Sequence, residues 1–310
     1  MSKRPTVTVG MAVYNDFHGA WFTIKALKVY HKVDEIVVVD NCPGSQEGEE
    51  LRRLAKSTGA KYIPFDEQHG TAQPRNQVFQ HSTSDITVCM DPHVLLAPYS
   101  LECLKDHARD NPEDNNLWMG PMMSEDGSVL ATHQDLVWRK QARGIWCKGG
   151  TDEKPCHHDI PKGTGFDFDD DPFEIPQQGM GTFACRTGEW LGFHPDLRGF
   201  GGCETYVMEK YRSEGRKVMC MPFLQWHHLI RRGGPPYPNN LTDRLRNYFI
   251  SAKALGWDLQ ETVDGFMFDL DEQYRQAILE FLQQQTAGGE SQKTATPEDE
   301  EKLMETKGGS

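Results

Sequence analysis

The first hundred residues alternate short apolar runs with stretches of helical periodicity, and this alternation limits the folds that the chain can adopt. Strand patterns cover residues 6–14, 35–40, 61–65 and 85–91. Helical spacing of apolar residues follows each of the first three runs, and the last of these helices is predicted near 72–81. Three βα repeats that lead to a fourth strand predict an α/β fold with a mostly parallel sheet flanked by helices.

Beyond residue 98 the patterns are mixed, and they suggest where the domain boundaries fall. Residues 148–179 form a long polar stretch rich in Gly, Pro and Asp, which we interpret as an acceptor-side loop because connections of this length are usually functional. We expect one domain over 1–230, a C-terminal helical extension over 231–285 and a disordered tail over 286–310, where the composition is too polar to pack.

Composition excludes several classes of protein. The chain has 310 residues and a formal net charge of −13, which argues against broad electrostatic binding of nucleic acid. It contains no apolar run of the roughly 18 to 20 residues that a membrane span needs, and its N-terminus does not resemble a signal peptide. The eight cysteines show no CxxC pair and read as reduced thiols. We therefore expect a soluble cytoplasmic protein with no membrane partner.

The most informative short motif is Asp91-Pro92-His93, which directly follows the fourth predicted strand. In an open α/β sheet, ligands bind beyond the carboxyl ends of the strands, so a carboxylate and an imidazole lie where a nucleotide phosphate would bind. A divalent ion there would neutralise the charge of a departing nucleoside diphosphate. This pair of ligand types favours Mn²⁺, with Mg²⁺ as the alternative.

Several motifs in their expected order resemble those of GT-A glycosyltransferases. The segments VTVGMAVYND, VVVDN and GTAQPRN precede the D-x-H motif, and the long block from GMGTFACR to QWHH follows it. The chain is similar to the large family 2 and, in its D-x-H motif, its Gly-Gly-x-Glu turn and its late histidine, to the polypeptide N-acetylgalactosaminyltransferases. The resemblance covers roughly residues 5–230.

This resemblance implies a role for each matching residue. Donor-binding roles fall on Val13, Tyr14, Asn15, Asp40, Arg75 and Asn76, and Met180, Gly181 and Thr182 would lie beside the sugar. The Asn-Cys-Pro-Gly turn after Asp40 is expected to leave that carboxylate exposed at the ligand edge. Glu204 would contact the donor sugar or the acceptor hydroxyl. The third metal ligand would be His228 or His227; because adjacent residues of an extended segment point in opposite directions, only one of them can face the metal.

The implied activity is a metal-dependent transfer of a sugar from a nucleotide sugar, with a UDP-sugar as the expected donor. Thr205 stands where many family 2 enzymes carry a second acid, so we expect retention of the anomeric configuration, with Glu204 orienting the substrates. The acceptor stays open between a glycan, a small molecule, a protein and a hydroxymethylated DNA base. The cytosolic placement is compatible with a phage or bacterial source.

Other classes fit the sequence less well. A Rossmann dehydrogenase lacks support because no G-x-G-x-x-G follows the first strand, and a sugar-nucleotide pyrophosphorylase would need a Gly-rich loop there. The group Cys156, His157, His158 and Asp159 has no second half-site for zinc, and the acidic run at 167–171 lacks the pattern of an EF-hand. Trp138, Trp146, Phe166 and Phe168 are read as core residues, although an aromatic near a long loop could stack on a sugar or a base. A catalytically silent nucleotide-sugar binding protein on the same fold remains the alternative.

Overall fold

The structure is a computed structural model that describes residues 4–139, 142–144, 146–147, 168–229, 236–237, 239–266, 275–276 and 279–280. Two predicted segments, the first part of the acceptor-side loop at 148–167 and the tail at 286–310, lie outside the described residues. The cysteine and histidine group at 156–158 lies outside them too.

The first ninety residues fold as the predicted βα repeats. Their elements are β1 (Val7–Val13), α1 (Phe17–Tyr30), β2 (Glu35–Asp40), α2 (Gln46–Thr58), β3 (Lys61–Pro64), α3 (Ala72–His81) and β4 (Ile86–Met90). Local signals set the helix ends. The Ser45 side chain accepts a hydrogen bond from Gly48 N and caps α2, and Gly59 ends the helix at a φ of 75°, which suits glycine. The predicted βα organisation of these ninety residues is confirmed.

The remaining elements are shorter and more irregular. In chain order they are β5 (Val94–Leu96), α4 (Ser100–Asp110), β6 (Leu117–Met119), β7 (Met122–Met123), β8 (Val129–Ala131), β9 (His133–Gln134), β10 (Trp138–Arg139), β11 (Ala142–Arg143), β12 (Trp146–Cys147), β13 (Phe173–Glu174), β14 (Thr182–Arg186), α5 (Cys203–Ser213), β15 (Val218–Cys220), β16 (Trp226–His228), α6 (Leu241–Leu255) and α7 (Leu259–Phe266). No helix among the described residues is long and apolar enough to cross a membrane.

Within the described residues, eight strands form the central sheet in the order β13-β15-β6-β14-β4-β1-β2-β3. Strands β4, β1, β2 and β3 are parallel neighbours, whereas β14 runs antiparallel to both β4 and β6. A second sheet has the order β5-β16-β7-β8. This is the mixed, mostly parallel α/β architecture that the alternation predicted, and its parallel half ends at one common edge.

Apolar residues cover both faces of the central sheet. Along β2, Ile36 and Val38 belong to one buried cluster while Val37 and Val39 belong to the other. The first cluster includes residues of α1, α2 and α4, and the second includes residues of α3 and α5. A strand buried on both faces has to be apolar along its whole length, which explains the continuous run IVVV.

Residues 168–179, the described part of the predicted acceptor-side loop, take part in the fold. Strand β13 pairs with β15 at the edge of the central sheet, and Ile175, Gln177 and Gln178 are buried. The side-chain amide of Gln177 donates to Gln134 Oε1 at 2.9 Å, and that of Gln178 donates to the carbonyl of Thr132 at 2.6 Å. Their polarity suggested a loop, but the NH₂ groups of both side chains donate to acceptors within the fold.

Candidate active site

Three candidate metal ligands meet at the carboxyl end of β4. Asp91 directly follows that strand, and His93 lies just before β5. His228 ends β16, which pairs with β5 so that His228 is opposite Val94. One ligand atom from each of Asp91, His93 and His228 lies within 4.8 Å of the others, and among the described residues this group could hold a metal ion. The adjacent His227, the other candidate, is outside the group.

The charge of Asp91 is fixed by its neighbours. Nη2 of Arg75 donates to Asp91 Oδ1 at 2.6 Å, and Nε2 of His228 lies 3.7 Å from Asp91 Oδ2. Burial by itself would raise the pKa of Asp91, but Arg75, His228 and His93 outweigh it and hold this pKa well below its usual range. The carboxylate is therefore ionised at neutral pH, the state in which it can bind a cation.

Asp16 positions His93, a role that the sequence did not suggest. The Asp16 carboxylate lies with its Oδ2 2.6 Å from His93 Nδ1, and its Oδ1 accepts from Gly19 N at 3.2 Å as the N-cap of α1. A carboxylate that accepts from Nδ1–H leaves Nε2 as the nitrogen available to a metal. The available signal was an aspartate in the Tyr-Asn-Asp turn, immediately before a helix.

A cavity opens beside this group at the carboxyl ends of β1 and β4. Its lining comes from the turn after β1, the segment before α3, the D-x-H motif and two later aromatic residues, and includes Val13, Tyr14, Asp16, Asn41, Gly70, Thr71, Arg75, Asp91, His93, Phe200 and Tyr237. The rings of Phe200 and Tyr237 stack with centroids 5.5 Å apart. Asn15, in the same turn, adopts a positive φ of 45°, which asparagine tolerates better than most residues.

Asp40 does not occupy the exposed position expected for it. The residue is only 1% exposed, and its two oxygens accept from Cys42 N at 2.9 Å and from the Tyr62 hydroxyl at 2.7 Å. Burial raises the pKa of Asp40, while these two hydrogen bonds act in the opposite direction. The prediction of an exposed carboxylate at the ligand edge is wrong, because the Asn-Cys-Pro-Gly turn folds back onto it. The neighbouring Asn41 lines the cavity instead.

Asn76 and Thr182 also face away from the cavity. The amide of Asn76 accepts from Trp190 Nε1 at 3.1 Å and Phe193 N at 3.0 Å, and donates to Gln73 and to the Phe193 carbonyl. It therefore fastens the segment before α5. Thr182 is fully buried in β14 opposite Met90, and its hydroxyl donates to the Gly181 carbonyl. Neither side chain lines the cavity.

Gly181 lies beside the candidate metal group for a steric reason. Its carbonyl accepts from Asp91 N at 2.9 Å. A Cβ at this position would lie 2.6 Å from the Trp226 ring and 3.5 Å from His228 Cδ2. Since Trp226 is buried and its Nε1 donates to the Gly120 carbonyl at 2.6 Å, the ring has no room to move. Glycine is thus required for the strand to pass between Asp91 and β16.

Glu204 lies in the first turn of α5, after a turn that depends on glycine. Gly199, Gly201 and Gly202 have positive φ values of 60°, 95° and 80°. The turn is held from one side by the segment before α3, where Thr71 N donates to the Gly199 carbonyl at 3.0 Å. Glu204 is partly exposed at the helix N-terminus, where the helix dipole stabilises a carboxylate.

Thr205, the residue at the position of the expected second acid, is fully buried, and its hydroxyl donates to Gln177 Oε1 at 2.8 Å.

Helix α6 contacts the glycine-rich turn before Glu204 on the side opposite the segment that precedes α3. Arg198 Nε donates to Asp243 Oδ1 at 2.7 Å in an ion pair whose side chains are 4% and 1% exposed. Asn247 donates to the carbonyls of Arg198 at 2.7 Å and Gly201 at 2.9 Å. Although the sequence suggested a helical extension to the catalytic domain, α6 supports the turn that leads into Glu204.

The fold and the site together have the form of a GT-A glycosyltransferase. Residues 8–163, about half of the chain, match the model of Glycosyl transferase family 2. The chain therefore belongs to glycosyl transferase family 2, and it is a glycosyltransferase. No curated protein matches it.

Solved structures agree with this fold at low sequence identity. GalNAc-T7 with UDP, GalNAc and Mn²⁺ superposes with a TM-score of 0.63 and 16% identity over 91% of this chain and 55% of its own. S. aureus TarS 1-349 in complex with UDP-GlcNAc gives 0.52 and 13%, over 91% of this chain and 73% of its own. The mannosyltransferase PcManGT from Pyrobaculum calidifontis, in complex with GDP-Man and Mn²⁺, gives 0.50 and 15%, over 99% and 80%. The chain thus spans only about half the length of GalNAc-T7.

Proposed function

We propose that this glycosyltransferase is metal-dependent and moves a sugar from a UDP-sugar to a hydroxyl acceptor with retention of configuration. The observation that carries the proposal is the group of Asp91, His93 and His228 at the carboxyl end of β4, beside a cavity lined by the turn after β1. A ligand that binds across the parallel strands at this edge would bring its phosphates to these three side chains.

The donor set fits a divalent ion of the Mn²⁺ type better than it fits Mg²⁺. One carboxylate and two imidazoles suit Mn²⁺, whereas Mg²⁺ prefers oxygen ligands alone. GalNAc-T7 and PcManGT, which share the fold, were both solved with Mn²⁺. When bound, the ion neutralises negative charge on the leaving nucleoside diphosphate. Asp16 and Arg75 fix the orientation of two of the ligands, His93 and Asp91 respectively.

The donor would bind along the turn after β1, between Tyr14 and the D-x-H motif. Val13, Tyr14 and Arg75 line the cavity, and Gly181 lies beside the metal group. We add Asn41 to this set and leave out Asn76 and Thr182, whose side chains are used within the fold. Asn15 and Asp40 shape the turns on either side, Asp40 by accepting from Cys42 N. The resemblance of the Val13-Tyr14-Asn15 turn to that of UDP-sugar enzymes favours uridine.

We expect UDP to bind more tightly than GDP, CDP or ADP in the presence of Mn²⁺. The reason is that the diphosphate contacts are common to all four, so that selectivity rests on the base contacts of the turn after β1. Isothermal titration calorimetry with the four diphosphates, with and without EDTA, measures this. If GDP bound more tightly than UDP, the uridine assignment would be wrong, although the metal assignment would stand.

Glu204 would orient the substrates without acting as the essential base. It is the carboxylate of the glycine-rich turn, and its neighbour Thr205 is buried and bonded to Gln177. A retaining transfer on one face of the sugar can use an oxygen of the leaving diphosphate as the proton acceptor, whereas an inverting transfer needs a carboxylate base. The absence of an acid at position 205 therefore supports retention.

An α-linked UDP-sugar is expected to give an α-linked product. The reason is that a retaining transfer can use an oxygen of the leaving diphosphate as the proton acceptor and needs no carboxylate base. The anomeric proton coupling in the NMR spectrum of the first product measures the configuration. Glu204→Gln should then keep measurable transfer, reduced by about a hundred-fold through poorer orientation of the substrates. A β-linked product, together with complete loss of transfer in Glu204→Gln, would make Glu204 the base of an inverting enzyme.

The experiment that tests the function as a whole is a UDP-release assay. A panel of UDP-sugars is incubated with the protein in Mn²⁺, and matched samples receive EDTA. Release of UDP from at least one donor, abolished by EDTA and restored by added Mn²⁺, is expected. A GDP-sugar is tested in parallel by measuring the release of GDP. If no UDP-sugar released UDP while the GDP-sugar released GDP, the assignment of a UDP-sugar donor would be overturned.

A further inference from the structure

Trp146 is a large aromatic residue that is left partly exposed. It lies in β12, and 40% of its surface is exposed. Its indole lies directly against Gly179, because a Cβ at Gly179 would be only 2.5 Å from both Cη2 and Cζ2 of the ring. What sets Trp146 apart is that its ring is held against glycine backbone while part of the residue is open to a ligand.

The topology puts this ring at the edge of the sheet where the metal group lies. Strand β14 runs antiparallel to β4, with Thr182 opposite Met90, and Gly181 accepts from Asp91 N. The residues that precede Thr182 therefore continue past the carboxyl end of β4. Gly179 is two residues from Gly181, a span of at most about 7 Å. The indole that covers Gly179 therefore lies two residues along the chain from Gly181, the glycine that accepts from Asp91 N.

The ring has a rigid support and a polar neighbour. Strand β12 pairs antiparallel with β9, which puts Trp146 opposite Gln134, and Thr132 N donates to the Cys147 carbonyl at 3.0 Å. Nε2 of Gln134 would lie 3.7 Å from the same Cβ position at Gly179. Gln134 Oε1 accepts from Gln177 Nε2 at 2.9 Å, which fixes the orientation of this amide. An aromatic face and an oriented amide thus adjoin each other.

We propose that Trp146 and Gln134 form an acceptor subsite that binds a pyranose ring. The apolar C–H face of the sugar stacks on the exposed indole, and the Gln134 amide bonds a hydroxyl group. Ligand sites commonly combine an aromatic wall with a few oriented polar groups in this way. The acceptor of the proposed transfer, on which this inference rests, is then a carbohydrate.

The observations favour a sugar over a nucleobase. An unpaired base could also stack on an exposed indole, but a nucleic acid acceptor brings a phosphate backbone that cations must neutralise. The chain carries a net charge of −13, and the polar side chain described beside Gly179, that of Gln134, is a neutral amide. A neutral, hydroxyl-rich ligand suits this surface better than a polyanion does.

The test is direct binding of saccharides, which does not depend on donor turnover. Saturation-transfer NMR is run with a panel of methyl glycosides and short oligosaccharides on the wild-type protein, on Trp146→Ala and on Trp146→Phe. We expect saturation of sugar ring protons in the wild type, an affinity about ten-fold lower in Trp146→Ala, and partial retention in Trp146→Phe, as for the loss of one aromatic stack. Circular dichroism verifies that each variant is folded.

The matched control is Trp21→Ala. Trp21 lies on α1 with 39% of its surface exposed, so it resembles Trp146 in type and exposure without adjoining Gly179. Saccharide binding should be unchanged in this control. Binding by Trp146→Ala equal to wild type, or no saccharide bound by the wild type, would overturn the subsite. Loss in Trp146→Ala of transfer to a hydroxymethylated single-stranded oligonucleotide, with no saccharide bound, would assign the ring to a base. Failure of UDP release alone would instead count against the proposed function.

Discussion

Replacing Asp91 with alanine is expected to lower the rate of UDP release by about a thousand-fold or more. The proposed metal would lose its only carboxylate ligand, and a lost charge-stabilising interaction of about 4 kcal/mol in the transition state corresponds to that factor. Arg75 would also lose its partner, since Asp91 accepts from it at 2.6 Å. The buried guanidinium would then repel a cation at the same site. UDP release at saturating donor and Mn²⁺ measures the effect.

The histidine pair of β16 offers a matched control for the same prediction. His228 belongs to the candidate metal group, whereas His227, on the opposite side of the strand, does not. His228→Ala should therefore lose activity as Asp91→Ala does, and His227→Ala should keep most of it. Asp34→Ala removes a carboxylate that is paired with Lys105, away from the cavity lining, and controls for a general loss of charge. Normal activity of Asp91→Ala in the presence of EDTA would exclude the metal role.

The sequence predicted the parallel half of the fold well because strands buried on both faces leave a strong pattern. The run EIVVVD predicted β2 with its observed bounds, since each of its four apolar positions belongs to one buried cluster or the other. The position of Asp91 followed from the same logic, as the residue directly after an apolar strand. Once the strands were known, the end at which a ligand could bind was known too.

Side-chain direction in the turns could not be predicted in this way. Asp40 and Asn76 stand in segments with the expected motifs, yet Asp40 turns inward to Cys42 N and Tyr62, and Asn76 turns toward Trp190 and Phe193. Each orientation depends on at least one partner far along the chain: Tyr62 is 22 residues from Asp40, and Phe193 is 117 residues from Asn76. A motif gives the position of a residue along the chain, but its hydrogen bonds decide which way it points.

The contact of Asp16 with His93 could not be predicted from the sequence either. Its sequence position gives it a local role as the N-cap of α1, and no motif links it to a residue 77 positions later. In the fold, the turn after β1 and the turn after β4 adjoin because those strands are parallel neighbours. A residue in the turn after one parallel strand can therefore orient a metal ligand in the turn after the neighbouring strand, however far apart the two residues are in sequence.

The sequence predicted helices in the region of α6 but did not suggest that α6 supports the turn before Glu204. The second large expected effect is the loss of that support. Asp243→Ala is expected to lower the free energy of unfolding by about 3 to 5 kcal/mol, because Arg198 would remain buried without its partner. Urea unfolding followed by circular dichroism measures this loss. Asp106→Ala, which breaks pairs of Asp106 with Arg4 and Arg109 at the surface, is the control and should cost far less.

The same variant links stability to catalysis. The carboxylate of Asp243 and the amide of Asn247 hold Arg198 and Gly201, two residues of the turn that leads into Glu204. If these contacts fix the turn, Asp243→Ala should lower the turnover number at temperatures where it is still folded, while the affinity for Mn²⁺ stays near that of wild type, since Asp91, His93 and His228 lie on other elements. Equal loss of stability in Asp243→Ala and Asp106→Ala, with full turnover in both, would show that α6 only covers the turn and does not position it.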